Sequence, residues 1–164
     1  MKAEKSKTKI RKLQNVSEAE ICAALMSSLE PWITLQRDYD TSLKIITDPA
    51  REVYLALRGE EIAGFTILVM YGALVGYIQS ICVAPEWRNQ GVGSQLMAFA
   101  ETRIFSESPN AFIMVSSFNP DAKRLYNRLG YETIGELKDY IIPGHSEYLL
   151  RKSIAPLTEF KPKP

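Results

Sequence analysis

Histidine is almost missing from this chain. His145 is the only one, and the two cysteines, Cys22 and Cys82, stand far apart in apolar surroundings, so no catalytic metal site is expected. No secretory leader precedes those cysteines, and both read as reduced, buried thiols of a cytoplasmic protein. Long hydrophobic runs are lacking too. No stretch approaches the roughly 18 apolar residues that a membrane helix requires, which argues against a membrane partner. Charge of one sign is not in excess: 20 Lys and Arg stand against 19 Asp and Glu, a net charge of +1. Such a chain has no overall field to draw nucleic acid or an anionic membrane, and any partner is recognised locally. The one local bias is at the start, where Lys2, Lys5, Lys7, Lys9, Arg11 and Lys12 face only Glu4. With little apolar content before Ile10, this stretch is expected to be a solvated terminus rather than a nucleic-acid contact.

What is present suits one ordinary domain. The 164 residues are 46% hydrophobic and 24% charged, enough for a single core spanning 1–164, with 1–8 and 156–164 as flexible tails. A short strand is expected over 9–13 and a helix over 17–29, with Ser17 as cap and Glu20 completing a capping box. Pro31 stops that helix. A second helix is expected over 37–47, ended by Asp48-Pro49. Strands over 52–57 and 62–70 then form a hairpin across Arg58-Gly59-Glu60, and another follows over 76–83. Beyond it come a helix over 91–105, a strand over 112–116, a helix over 119–129 and strands over 132–135 and 147–152. Hairpins giving way to alternating strands and helices imply an α/β fold with a mixed sheet.

The most informative stretch is "PEWRNQGVGSQL", residues 85–96. An apolar strand ends before it, an amphipathic helix begins within it, and Gly91 and Gly93 lie at the junction. Free N–H groups at a helix N-terminus bind anions, and glycine lets a phosphate approach the backbone. Arg88 adds a positive charge. Two better-known phosphate motifs are excluded: no G-x-x-x-x-G-K-[ST] occurs, and Leu96 stands where a dinucleotide fingerprint needs a third glycine. The pattern left is [QR]-x-x-G-x-G/A. A second stretch, "NPDAKRLYNRLGYE", is a well-punctuated helix: Asn119 caps it, Pro120 takes the first position, Asp121 complements the dipole and Gly130 ends it. Ala122, Leu125, Tyr126 and Leu129 fall on one face.

In these two segments the chain resembles the GNAT superfamily of acyl-CoA-dependent N-acyltransferases, and in 119–131 it is similar to ribosomal-protein N-terminal acetyltransferases. The resemblance extends in element order over 62–150. It implies a mixed, mostly antiparallel sheet of about six to seven strands flanked by about four helices, with acetyl-CoA (coenzyme A) as cofactor. By that likeness Asn89, Gln90, Gly91, Val92, Gly93 and Ser94, beside Arg88, would cradle the pyrophosphate. The backbone of Ile81, Cys82 and Val83 would pair with the pantetheine arm, Asn119 would hydrogen-bond it, and the Tyr126 hydroxyl would point at the thioester sulfur. The implied activity is transfer of an acetyl group to a primary amine of a peptide, protein or small metabolite, by direct attack in a ternary complex. A catalytically silent acyl-CoA-binding module is the alternative, and homodimers are frequent in the superfamily.

The general base is the departure. Where the ribosomal-protein enzymes carry a glutamate, this chain has Met114. The candidates left are Glu147, His145, and Tyr77 or Gln79 acting with a bound water. For the acceptor, family analogy places the N-terminal helices over the cleft, which nominates Glu30 and Trp32, and Tyr140 stands where a peptide-gripping tyrosine is found.

Overall fold

The computed structural model describes residues 7–164. The elements in chain order are β1 (Lys9–Lys12), α1 (Val16–Ser27), α2 (Tyr39–Ile46), β2 (Glu52–Arg58), β3 (Glu61–Val69), β4 (Tyr77–Val83), a single 3-10 turn (Pro85–Trp87), α3 (Val92–Phe105), β5 (Asn110–Ser116), α4 (Pro120–Arg128), β6 (Glu132–Lys138) and β7 (Ser146–Ser153). They build one seven-stranded sheet of order β1-β2-β3-β4-β5-β7-β6. Every neighbouring pair is antiparallel except β4 and β5. The mixed, mostly antiparallel sheet flanked by helices is the expected fold.

The first helix starts earlier than expected. Asn15, not Ser17, is its cap: Asn15 Oδ1 accepts from Glu18 N at 2.9 Å, and Glu18 Oε2 accepts from Gln14 N at 2.8 Å. Asn15 and Glu18 thus take the places expected of Ser17 and Glu20, with Glu18 reaching the amide before the cap rather than the cap's own. Arg11 decides the shift, because its guanidinium grips both carboxylate oxygens of Glu18 at 2.6 and 3.1 Å and ties the helix start to β1. Residues 9–12, within the basic stretch, are thus paired with β2 rather than frayed; residues 1–6 lie outside the described part. At the other end a turn occupies 156–159, and Lys163 N donates to Ser106 O at 3.1 Å.

Two apolar layers cover the sheet. On one face α1 and α2 pack Ala19, Cys22, Met26 and Ile46 onto Leu55, Phe65 and Ile67. On the other, Met97, Ala100 and Ile104 of α3 meet Leu68, Ile78, Ile113 and Leu150, and α4 adds Ala122, Tyr126 and Leu129.

The site follows from how β4 and β5 meet. Gly76, at φ +90°, lets the chain reach β5 so closely that a Cβ there would strike the Asn110 carbonyl, and Phe112 N donates to Gly76 O at 2.9 Å. The parallel ladder then runs only through Tyr77↔Phe112 and Ile78↔Ile113. Beyond it the register of β3 on β4 slips from Leu68↔Ile78 to Ile67↔Ser80, leaving Gln79 as the bulged residue. A bulge bends its strand and increases its twist. From Gln79 onward β4 leaves β5, and the sheet opens between them.

Candidate active site

The opening is a cleft of about 650 Å³. Its walls are β4 from Tyr77 to Ile81, β5 from Ile113 to Ser116, and Asn119, Ala122 and Tyr126 along α4 and its cap. The segment joining α1 to α2 closes one side with Trp32, Leu35 and Arg37, and Tyr140 lies at the rim. Backbone groups on the facing edges of β4 and β5 have no ladder partner across the gap, since the pairing stops at Ile78 and Ile113. An extended polar chain lying between them can take the place of the missing pairing.

At the outer end of β4 stands the glycine loop. Asn89 (φ 57°) and Gly91 (φ 82°) adopt left-handed conformations, and Gly91 caps α3. The first N–H of this segment that finds a carbonyl within it is Gln95, which donates to Gly91 O at 3.0 Å. Among the described residues the amides of residues 89–94 donate to no backbone carbonyl, so they remain available to an anion at the positive end of the helix dipole. Gly93 supports the same use. Its conformation is helical, and a Cβ there would meet only Val83 Cγ2 at 3.6 Å, so the fold itself does not require glycine. Its missing Cβ leaves the backbone open to close approach from outside. Arg88 Nε donates to Val83 O at 3.4 Å, and Gln90 is tied by Nε2 to Glu86 O at 2.9 Å. The Gln90 carbonyl accepts from Arg58 Nη2 at 3.2 Å. Ile81 and Val83 are half-buried, while the Cys82 side chain points into the core, so only its backbone can face a ligand. Both cysteines are free and buried.

Further in, Asn119 Oδ1 accepts from Ala122 N at 3.4 Å and caps α4 as expected. Tyr126 stacks edge-on with Tyr131, ring centroids 6.3 Å apart, and is half-buried in the cleft wall. Its hydroxyl makes no hydrogen bond within the described residues, and the protein packed around the ring pushes its pKa up to about 12. It therefore stays protonated at neutral pH, with its donor free.

At the inner end the structure supplies a carboxylate where β5 offers Met114. Met114 and Ser116 lie on one face of β5, and Glu147 of β7 is directly opposite Ser116. Ser116 Oγ donates to Glu147 Oε1 at 2.6 Å. Glu147 is buried, at 5% exposure, and its pKa is raised because desolvation outweighs the Ser116 hydrogen bond and the attraction of Arg37. Tyr77 is nearby, its phenol pushed up to about 12 by burial.

The other predicted residues divide. Trp32, Tyr77, Gln79 and Tyr140 line the cleft. Gln79 is already engaged, since its Oε1 accepts from Arg51 Nε at 2.7 Å. Glu30 is not on the lining; its Oε2 accepts from Thr34 N at 3.2 Å and steadies the turn after α1. His145 lies in an exposed turn, edge-on to Phe118 at 5.1 Å, away from the cleft lining. Two cleft residues carried no sequence signal: Ser116, which holds the carboxylate, and Arg37, in an irregular segment without a motif.

The Acetyltransferase (GNAT) family model matches residues 15–131. The chain belongs to the GNAT family. It is 34% identical over 120 residues to an aminoalkylphosphonate N-acetyltransferase of Salmonella typhimurium, covering 70% of this chain and 75% of that protein. An N-alpha-acetyltransferase of Sulfurisphaera tokodaii is 32% identical over 92 residues, covering 53% of this chain and 54% of the relative. The fold is shared with an aminoglycoside 6'-N-acetyltransferase solved with coenzyme A: TM-score 0.72, 16% identity, 90% of this chain and 97% of that one. This GNAT protein is an acetyl-CoA-dependent acyltransferase. Among the described residues there is no helix long and apolar enough to cross a membrane, and no cluster of candidate metal ligands.

Proposed function

We propose that this GNAT enzyme acetylates a primary amine bound at the Glu147 end of the cleft, with Glu147 as general base and Tyr126 as proton donor on the leaving side. The observation that carries the reading is that one cleft presents both a buried carboxylate and a phenol with no hydrogen bond of its own. The amides of residues 89–94 with Arg88 hold the pyrophosphate, and the free edge of Ile81, Cys82 and Val83 together with Asn119 holds the arm. Acetyl-CoA, when bound there, supplies the activated acetyl group.

An amine acceptor arrives largely as its ammonium, with pKa near 7.7–8.0 for a peptide α-amine and about 10.4 for a lysine-type amine. Glu147 accepts that proton. Its raised pKa narrows the gap to the ammonium, and Ser116 keeps the carboxyl in place. Elsewhere on the same lining Tyr126 holds its proton to high pH. It stabilises the departing sulfur by hydrogen bonding, as suits a phenol at about 12 facing a thiol of about 8.5. Relatives named for a small aminoalkylphosphonate and for N-terminal amines support an amine acceptor of either kind.

Titration calorimetry with acetyl-CoA, and NADH as control, followed by CoA release on a panel of amines and short peptides, tests the reading. Saturable binding of acetyl-CoA with amine-dependent release supports it. Binding without release from any amine would leave a silent acyl-CoA-binding module.

A further inference from the structure

The inner end of the cleft holds a charge that acetyl transfer does not use. Arg37 lies between α1 and α2, its N–H donating to the Trp32 carbonyl at 2.9 Å, and its side chain lines the cleft with Tyr77, Tyr140 and Glu147. The neighbouring Arg51 is satisfied: it pairs with Asp48 and donates from Nε to Gln79 Oε1. Arg37 is not. Among the described residues no carboxylate lies within 4.0 Å of its guanidinium, and the side chain makes no hydrogen bond.

A guanidinium cannot relieve burial by losing its proton, so a half-buried one keeps its charge and needs a partner. Among the described residues Glu147 is the only carboxylate on the cleft lining. It attracts Arg37 from beyond ion-pair distance and is itself held by Ser116. Cation and carboxylate thus face one cavity without neutralising each other. That arrangement complements a zwitterion, whose ammonium meets Glu147 while its anion meets the fork of Arg37. The planar guanidinium suits the paired oxygens of a carboxylate, sulfonate or phosphate. The same cavity of about 650 Å³ must also admit the cofactor's arm, which leaves room for a small acceptor.

We propose that the acceptor is a small amine carrying its own anionic group a short chain away, and that Arg37 is the specificity-determining residue that binds this group. The inference rests on Glu147 receiving the ammonium, as above.

The test uses the full chain loaded with CoA for binding and with acetyl-CoA for transfer. β-Alanine, taurine and phosphoethanolamine are compared with propylamine and putrescine, in wild type, Arg37→Ala and Arg37→Lys. Calorimetry should detect at least one anion-bearing amine binding more tightly than propylamine. Arg37→Ala should weaken that amine on the order of 10- to 100-fold, as expected for a charge-assisted contact, with Arg37→Lys recovering part of the loss. Propylamine and acetyl-CoA affinities should not change. Anion-selective binding without CoA release would sink the transfer reading and keep the Arg37 assignment. The Arg37 assignment is overturned by equal use of propylamine and the anion-bearing amines, by an Arg37→Ala effect that is the same on every acceptor, or by no anion-bearing amine binding.

Discussion

Ser116 Oγ donates to Glu147 Oε1 at 2.6 Å across directly opposed positions of β5 and β7. The contact holds one carboxylate oxygen and leaves Oε2 without a hydrogen bond among the described residues. Desolvation raises the pKa of this carboxylate, so at neutral pH its charged form does not stabilise the fold, and the proposed base role can be tested apart from stability.

Glu147→Gln separates these roles. Glu147 has its pKa raised on folding, so the stability it contributes is fully present below the unfolded pKa and is lost as pH rises through the folded one. At neutral pH the charged form is a cost. The amide keeps the Ser116 contact without that cost, so Tm at pH 7 should stay level or rise while kcat/KM falls roughly 10²–10⁴-fold. A matching loss of Tm and activity would make the residue structural. In the wild type, kcat/KM should fall as pH drops through a value above the ordinary glutamate range, and a pH profile reads it directly.

Tyr126→Phe removes a hydroxyl that makes no hydrogen bond among the described residues. Turnover should fall by roughly 10²–10⁴-fold, with acetyl-CoA affinity and Tm nearly unchanged. Near-full turnover would remove Tyr126 from the chemistry. Because burial pushes the phenol up to about 12, its ionisation should cause no loss of activity below about pH 10.

The two glycines of the loop should respond differently. Gly91→Ala places a Cβ at φ 82° and should cost about 1 kcal/mol of stability in a denaturant titration. Gly93→Ala sits in helical backbone with only Val83 Cγ2 near, so stability should hold or gain up to about 1 kcal/mol. Calorimetry should nonetheless find acetyl-CoA binding weakened. An unweakened Gly93→Ala would mean that the diphosphate lies elsewhere.

The cysteines give a simple check of packing. Burial pushes the Cys22 thiol up to about 12 and the Cys82 thiol higher still. A disulfide-exchange reagent should label neither in the native protein at pH 8 and both in denaturant. Rapid native labelling of Cys82 would show β4 open to solvent.

Much of the fold is legible in the sequence alone. The turn at Gly91, the cap at Asn119 and the apolar face carrying Tyr126 are decided within a few residues, so their spacing carries them. Even there a long-range contact could intervene: Arg11 moved the cap of α1 from Ser17 to Asn15 by holding Glu18. For the base the residues named both Glu147 and His145. Nothing local separates a turn histidine from a strand glutamate, and only the pairing of β7 with β5 puts Glu147 beside the cleft while His145 stays outside.

The sequence by itself determined the glycine loop, the helix that carries Tyr126 and the family, because each rests on backbone conformations and caps encoded by neighbouring residues. The tertiary structure alone decided which acidic residue and which arginine share the acceptor end. Cross-strand pairing brings Glu147 to the cleft beside the β5 face that carries Met114, and Arg37 reaches the cleft from an irregular segment between two helices. Those placements depend on strand order and on the parting of β4 from β5, where residues distant in the chain meet.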